Sequence, residues 1–130
     1  MIRHLLLTSC LAALFFISCS NGPGPGGQAS IQGKVHVENW NSTCTLVSGT
    51  YYGPDEDVYI IYGDDPSYGD RVKTGPDGTY WFQYLRPGKY TIYVYSKDCS
   101  AASGKTTVTA TVEITEKKQA VTLDDIEIKK

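Results

Sequence analysis

The chain has 130 residues and a formal charge of −2, from 12 basic and 14 acidic side chains. Without residues 1–18, which contain Arg3, 11 basic and 14 acidic side chains remain, a charge of −3. No basic run is longer than a lysine pair, which excludes nucleic acid as the expected partner. The length suits one domain with a modest core.

The first 18 residues have the pattern of a secretory signal. A basic start, Met1-Ile2-Arg3-His4, precedes an almost wholly apolar run from Leu5 to Ile17. This run is shorter than the roughly 20 apolar residues that span a bilayer. We therefore expect residues 1–18 to be removed, residues 19–29 to form a flexible Gly/Pro-rich linker, and residues 30–130 to form the domain.

Beyond residue 30 the sequence alternates with the period of two that is typical of β-strands, and helical periodicity is absent. The alternating segments are 31–37, 58–62, 71–74, 79–85, 90–95 and 106–114, with a weaker one over 43–47. The last segment changes phase between Leu123 and Ile126, which predicts a bulge. Turns such as Gly75-Pro76-Asp77-Gly78, where Gly78 can take positive φ, separate the segments. The pattern predicts an all-β fold, a single antiparallel Greek-key β-sandwich of about seven strands.

Two of the four cysteines, Cys44 and Cys99, lie in the predicted domain. An even pair in an exported protein most simply forms a disulfide, here closing a loop of about 56 residues. The spacing fits neither a metal site nor a redox motif, both of which use closely spaced cysteines. Two free buried thiols are the alternative.

The end of the apolar run, Phe16-Ile17-Ser18-Cys19, resembles the bacterial lipobox, although Phe16 stands where that motif usually has Leu. The resemblance implies cleavage before Cys19, a diacylglycerol on its thiol and an acyl chain, such as palmitate, on its new amine. Two or more acyl chains anchor a protein stably to a membrane. Because Ser20, not Asp, follows Cys19, the resemblance favours the outer membrane or cell surface. An ordinary signal peptide with an incidental cysteine is the alternative.

A second resemblance lies in Asp77–Tyr90, which reads DGTYWFQYLRPGKY. It resembles the D-G-x-Y-x-F-x-x-L-x-P-G-x-Y signature of carboxypeptidase regulatory-like domains, and is similar to transthyretin-like modules and adhesin B-type repeats. Ile31–Val35 and Val121–Ile128 match the opening and closing strands of this family. The resemblance implies a β-sandwich that serves as a spacer, folding support or binding module. The longer segment 38–57 departs from the family, so we expect the individual function there.

The aromatic residues form the candidate binding face. All ten tyrosines fall within residues 51–95. Alternation places several aromatic side chains away from the core, and exported sandwiches often bind sugars or peptides through such a face. Alternatively, tyrosine simply suits cross-strand pairs. The predicted face consists of Trp81, Tyr93, Tyr95, Tyr59 and Trp40.

Catalytic and metal-binding residues are not clearly indicated. His36 is the single histidine of residues 30–130, and its alternation predicts an exposed side chain without a neighbouring nucleophile. The loop that contains Asp64, Asp65 and Asp70 is a weak calcium candidate, but it lacks the regular D-x-D-x-D-G spacing. Solvated acidic turns are the alternative, and no cofactor is expected.

These patterns together predict a lipid-anchored, non-catalytic binding or structural module of the cell envelope. Its expected partners are the membrane, through the lipid, and an envelope protein or polysaccharide. A glycan-binding surface module is one alternative. A small envelope hydrolase that uses two of the many carboxylates is another.

Overall fold

The computed structural model describes residues 22–130. The predicted signal peptide and the predicted lipidation site, Cys19, lie outside the described residues. Residues 22–130 form nine strands and no helix, arranged as a five-stranded and a four-stranded sheet. The predicted all-β sandwich is therefore confirmed, with nine strands instead of about seven. No helix of this part of the chain is long and apolar enough to cross a membrane.

The strands are β1 (Pro25–Trp40), β2 (Val47–Tyr52), β3 (Asp57–Tyr62), β4 (Asp70–Lys73), β5 (Thr79–Leu85), β6 (Gly88–Lys97), β7 (Lys105–Ile114), β8 (Ala120–Thr122) and β9 (Ile126–Lys129). The long strand β1 pairs with every other strand of the five-stranded sheet. Its first half pairs with β5 and β8, and its second half with β2 and β9. The pairings with β8 and β9 are parallel, so the prediction of an entirely antiparallel sandwich is wrong for them. The four-stranded sheet, in the order β4-β3-β6-β7, is antiparallel throughout.

The core lies between the two sheets and is filled by alternate side chains of both. Burying one such aliphatic or aromatic side chain contributes about 1.5–3 kcal/mol. On β7 the alternation is weaker, since Val108 and Val112 are only half-buried. The fully buried side chains include Ile31, Val35, Val37, Val58, Ile60, Tyr80, Tyr90, Ile92, Val94, Ile114 and Ile128.

Two strand predictions are wrong. Residues 43–46 belong to the connection between β1 and β2, and the strand begins only at Val47, as β2. The side chain of Asn41 accepts hydrogen bonds from the backbone N–H of Thr45 (2.8 Å) and Leu46 (3.3 Å), which competes with strand pairing. The phase change after Leu123 is not a bulge within one strand, because it separates β8 from β9.

The predicted flexible linker over 19–29 is also wrong for the residues that are described. Strand β1 begins at Pro25, and the backbone before it is hydrogen-bonded to Arg86 and Tyr90. Glycine and proline have little side chain to bury, but their backbone groups still bind donors and acceptors. The segment is therefore ordered by polar contacts, which hydrophobic periodicity does not reveal.

Cys44 and Cys99 form a disulfide, with 6.3 Å between their Cα atoms. The predicted bridge is therefore confirmed over the alternative of free thiols. It joins the β1–β2 connection, next to the five-stranded sheet, to the β6–β7 turn of the four-stranded sheet. The bridge thus fastens the two sheets together at one end of the molecule.

Candidate functional site

Three of the predicted aromatic residues share one face. Tyr59 lies on β3, and Tyr93 and Tyr95 lie on the adjacent β6, with Tyr59 directly opposite Tyr93. Their neighbours along each strand, such as Ile60 and Val94, point into the core. Because successive side chains alternate between faces, the tyrosines stand on the outer face of the four-stranded sheet. The prediction that these three share a surface is confirmed.

The tyrosine rings contact one another closely. Tyr59 and Tyr93 are stacked, with 4.8 Å between ring centroids and 6° between planes. Tyr95 meets both edge-on, at 5.5 Å from Tyr59 and 5.8 Å from Tyr93. Tyr68, from the β3–β4 connection, meets Tyr59 edge-on at 4.9 Å. We call these four residues, Tyr59, Tyr68, Tyr93 and Tyr95, the tyrosine cluster.

Sequence reasoning missed Tyr68, because strand alternation says nothing about a residue in a connection. Its ring reaches the cluster because the chain turns back between β3 and β4, where Gly69 donates a backbone hydrogen bond to Ile60 (2.8 Å). Tyr68 and Tyr95 are the most exposed members, at 48% and 49%. The inner pair of rings is only partly exposed.

Charged side chains border the cluster on the β4 side. Arg71 lies opposite Tyr59 in the strand register. A hydrogen bond to the Tyr59 hydroxyl, followed by the charge of Asp57, raises the pKa of Arg71. Asp57 also lies 3.3 Å from the ammonium of Lys73. Burial, followed by the neighbouring tyrosines, raises the pKa of Tyr93. The cluster is therefore an amphipathic surface of rings and hydroxyls, with the Arg71 guanidinium at one edge.

Trp81 does not join this surface, so its predicted place beside Tyr93 and Tyr95 is wrong. Strand β5 pairs with β1, whereas β6 pairs with β3 and β7 in the other sheet. Trp81 is opposite Gln32 and 52% exposed. Alternation gave the correct burial for Trp81 but could not show to which sheet β5 belongs. The indole consequently lies on the outer face of the opposite sheet.

Trp40 is also separate from the tyrosine cluster, at the end of β1. Its indole N–H donates to a Glu38 carboxylate oxygen at 3.0 Å, and the Lys129 ammonium lies 4.8 Å from its ring centroid. Trp40 borders an open cleft of about 450 Å³, which is lined by the Cys44–Cys99 bridge and Lys97 among others. The predicted face is therefore divided among three regions of the molecule.

The segment 38–57, predicted to carry the individual function, contains the edge strand β2 of the five-stranded sheet. Every residue of β2 is exposed. The Tyr52 hydroxyl donates to Asp125 at 2.8 Å, and this hydrogen bond is the main cause of its raised pKa. His36 lies on the same face, with its Nδ1 2.6 Å from a Glu127 carboxylate oxygen and its ring 5.1 Å from the Tyr52 ring. Within residues 22–130, neither of these contacts supplies a hydroxyl or thiol that His36 could activate as a nucleophile.

The acidic residues do not assemble into a metal site in residues 22–130, where no three His, Cys, Asp or Glu side chains converge. Asp64, Asp65 and Asp70 are exposed, and Asp70 accepts a hydrogen bond from the Arg71 backbone at 2.8 Å. Glu56, in contrast, is buried and pairs with the Lys130 ammonium. Sequence gave no signal for this pair, because the partners are far apart along the chain.

No family model matches the chain, and no curated protein matches it in sequence. Among solved structures, one similarity is to a Pseudomonas aeruginosa protein for which carbohydrate binding has been proposed. That structure is 13% identical, with a TM-score of 0.49, over 82% of this chain and 91% of the other. A similarity of this size carries no inference about the ligand of this chain.

Proposed function

We propose that the protein is a non-catalytic binding module of the cell envelope, anchored by lipid at Cys19, and that the tyrosine cluster is its contact surface. One observation carries this proposal: four tyrosine rings are gathered on the outside of a sheet, with two of them about half exposed. Protein interfaces are enriched in aromatic residues that offer apolar area and a polar hydroxyl.

The ring geometry favours a polypeptide partner for the cluster. The stacked rings of Tyr59 and Tyr93 are 4.8 Å apart, which is the spacing between neighbouring strands. The rings therefore stand upright on the sheet, with their faces turned towards each other. Their edges and hydroxyls are left for the partner, whereas a sugar ring would stack on an open aromatic face. We infer that the partner is another protein of the envelope.

Export and anchoring are supported by the sequence and by the disulfide. The signal pattern and the lipobox-like residues before Cys19 are features expected of a chain that is exported and attached to a membrane surface. The Cys44–Cys99 bridge suits an oxidising compartment outside the cytoplasm. Two acyl chains at Cys19 would hold the module stably, at the outer membrane or cell surface.

The test is cross-linking of the full-length lipoprotein in its own cells, followed by titration of the captured protein against purified variants. Tyr68→Ser with Tyr95→Ser removes the exposed rings and keeps the inner pair, so the fold should be retained. We expect binding to weaken by at least about 10-fold, as for interface hot spots of roughly 2 kcal/mol. Trp81→Ser, on the opposite sheet, is the matched control. Equal loss in both variants, or in neither, would contradict the proposal.

Glycan binding at Trp81 is the second candidate. No aromatic ring of residues 22–130 covers this half-exposed indole. Beside it, the Gln32 amide donates to the Thr122 hydroxyl at 3.2 Å, so polar groups lie next to an open ring face. Polysaccharide retention by the wild type and the Tyr68/Tyr95 variant, with loss in Trp81→Ser, would favour this candidate over the first.

A further inference from the structure

The start of the described chain is fastened to one end of the sandwich. The Arg86 guanidinium donates to the carbonyls of Gly22 (2.8 Å, from Nε) and Pro25, and its backbone N–H donates to Gly24 (2.9 Å). The Tyr90 hydroxyl accepts from the Gly24 N–H at 2.8 Å and donates to the Arg86 carbonyl at 2.5 Å. We call this set of contacts from Arg86 and Tyr90 to residues 22–25 the clamp.

Small residues complete the clamp. A Cβ atom added to Gly88 would lie only 2.7–3.0 Å from the Pro23 ring, so Pro23 occupies space that a side chain at position 88 would need. Gly63 also approaches Pro23, at 3.0 Å for an added Cβ. The segment is thus fixed by packing against the turn after β5 as well as by hydrogen bonds. The position of Gly22 relative to the sandwich is consequently well defined.

The clamp shortens the tether between the lipidation site and the domain. An unfastened stretch from Cys19 to Ala29 could extend to roughly 36 Å. With Gly22 fastened, only Ser20 and Asn21 lie between it and Cys19, and these three Cα–Cα steps reach at most about 11 Å. Acyl chains on Cys19 would therefore hold the Arg86 end of the sandwich at the membrane surface.

An unusual residue lies at this same end. Tyr84 has φ +59°, a left-handed conformation that is costly for a bulky side chain, and its side chain is 70% exposed. The register shifts by one residue between the Ala29–Leu85 and Ile31–Phe82 pairs, so Tyr84 belongs to a bulge. The bulge adds an outward side chain between buried Phe82 and Leu85. A strained, exposed aromatic residue points to a contact outside the domain.

We propose that the β5–β6 end of the sandwich rests on the membrane, with Tyr84 in the headgroup layer and the disulfide-linked end pointing away. Tyrosine is enriched at this depth of a bilayer because its ring is apolar and its hydroxyl is polar. The partner is the lipid surface that receives the acyl chains, and the inference rests on the proposed anchoring at Cys19. The β2 edge and the cleft beside Trp40 would then face away from the membrane.

The two tryptophans allow a direct test, because they lie at different distances from the end of the sandwich that is proposed to rest on the membrane. Trp81 is opposite Gln32, and Trp40 lies eight residues further along β1, about 26 Å away. The acylated full chain is reconstituted in vesicles of phosphatidylethanolamine and phosphatidylglycerol that carry dansyl groups on some headgroups. Fluorescence energy transfer from the tryptophan of single-tryptophan variants to these dansyl groups is then measured. The variants are Trp40→Phe, Trp81→Phe, and Tyr84→Trp combined with both Phe substitutions.

We expect transfer to be strongest from position 84, intermediate from Trp81 and several-fold weaker from Trp40. Insertion of ten Gly/Ser residues between Ser20 and Asn21, as the matched tether variant, should reduce these differences. Equal transfer from the three positions, or strongest transfer from Trp40, would overturn the inference while leaving the anchor intact. Failure of the anchor itself is distinguishable, because the full-length protein would then not float with the vesicles.

Discussion

At the scale of single residues, Gly33 and Tyr80 form a tightly constrained contact. The two residues are paired across β1 and β5, and the Tyr80 ring lies over the glycine. A Cβ atom added to Gly33 would come within 2.4 Å of the Tyr80 hydroxyl and 2.7 Å of its ring. Glycine is required here because the ring occupies the place of a side chain.

Gly33→Ala is therefore expected to lower the free energy of unfolding by about 1–3 kcal/mol, the usual cost of overpacking a core. Urea denaturation followed by fluorescence measures the change. Gly49→Ala on exposed β2 is the matched control, since a Cβ there meets no atom within 4 Å. A cost at Gly33 no larger than that at Gly49 would show that the ring can move aside.

Removal of the Tyr80 hydroxyl, unlike the substitution of Gly33, is expected to stabilise the protein. It is buried and has no hydrogen-bond partner in residues 22–130. A buried hydroxyl without a partner costs about 1–3 kcal/mol, and its removal with retention of the ring recovers part of this cost. We expect Tyr80→Phe to raise the free energy of unfolding at pH 7 by about 1 kcal/mol in urea titrations. A clear loss of stability would mean that the hydroxyl has a partner.

The same side chain should make the fold sensitive to alkali. Burial raises the pKa of Tyr80 to about 12, from about 10 in an unfolded chain. Since the folded state holds the proton more tightly, its stabilisation is complete below pH 10 and is lost as pH rises through 12. Thermal unfolding between pH 9 and 12 should therefore show a steeper decline for the wild type than for Tyr80→Phe. Parallel declines would contradict the assigned pKa.

At the scale of elements, the disulfide joins the two sheets at one end. It closes a loop with a sequence separation of 55, for which the chain-entropy model gives about 4 kcal/mol. Cys44→Ser with Cys99→Ser should lower the free energy of unfolding by about this amount in urea. Thr43→Ser in the same turn is the control for local polarity. A loss well below 1 kcal/mol would indicate that the connected turns already hold each other without the bridge.

Most strands could be predicted from the sequence because their alternation reflects burial on one face. Segments 79–85 and 106–114 correspond closely to β5 and β7 for this reason. Alternation does not specify which strands become neighbours, and for this reason the predicted place of Trp81 beside Tyr93 is wrong. Sheet membership depends on long-range pairing, here of β5 with β1.

The candidate site was predictable only in part, for related reasons. Tyr59, Tyr93 and Tyr95 could be placed on one face because they lie within regular strands. Tyr68 entered the site through the shape of a turn, which period-two reasoning does not cover. The clamp could not be predicted from the sequence, because its acceptors include backbone carbonyls of Gly and Pro residues. Every residue type presents such a carbonyl, so the sequence does not mark the ones that are used.

At the scale of the whole molecule, the clamp would determine how the domain is connected to the anchor proposed at Cys19. Tyr90→Phe removes the hydroxyl that receives the Gly24 N–H and leaves this donor buried without a partner. We expect a loss of about 1–3 kcal/mol in unfolding free energy. Hydrogen exchange of residues 22–28 should also become faster. Tyr62→Phe is the matched control, because its ring meets Tyr90 edge-on at 6.0 Å while its hydroxyl takes no part in the clamp.

The two readouts separate a structural role of Tyr90 from its role in the tether. If exchange at residues 22–28 increases while β6 remains protected, the hydroxyl holds the N-terminal segment specifically, and the tether to Cys19 lengthens on its removal. Faster exchange throughout β6 would instead mean that Tyr90 supports the core, as its ring already does. In the first case the same variant should also reduce the difference in energy transfer between Trp81 and Trp40, because a longer tether lets the domain turn on the membrane.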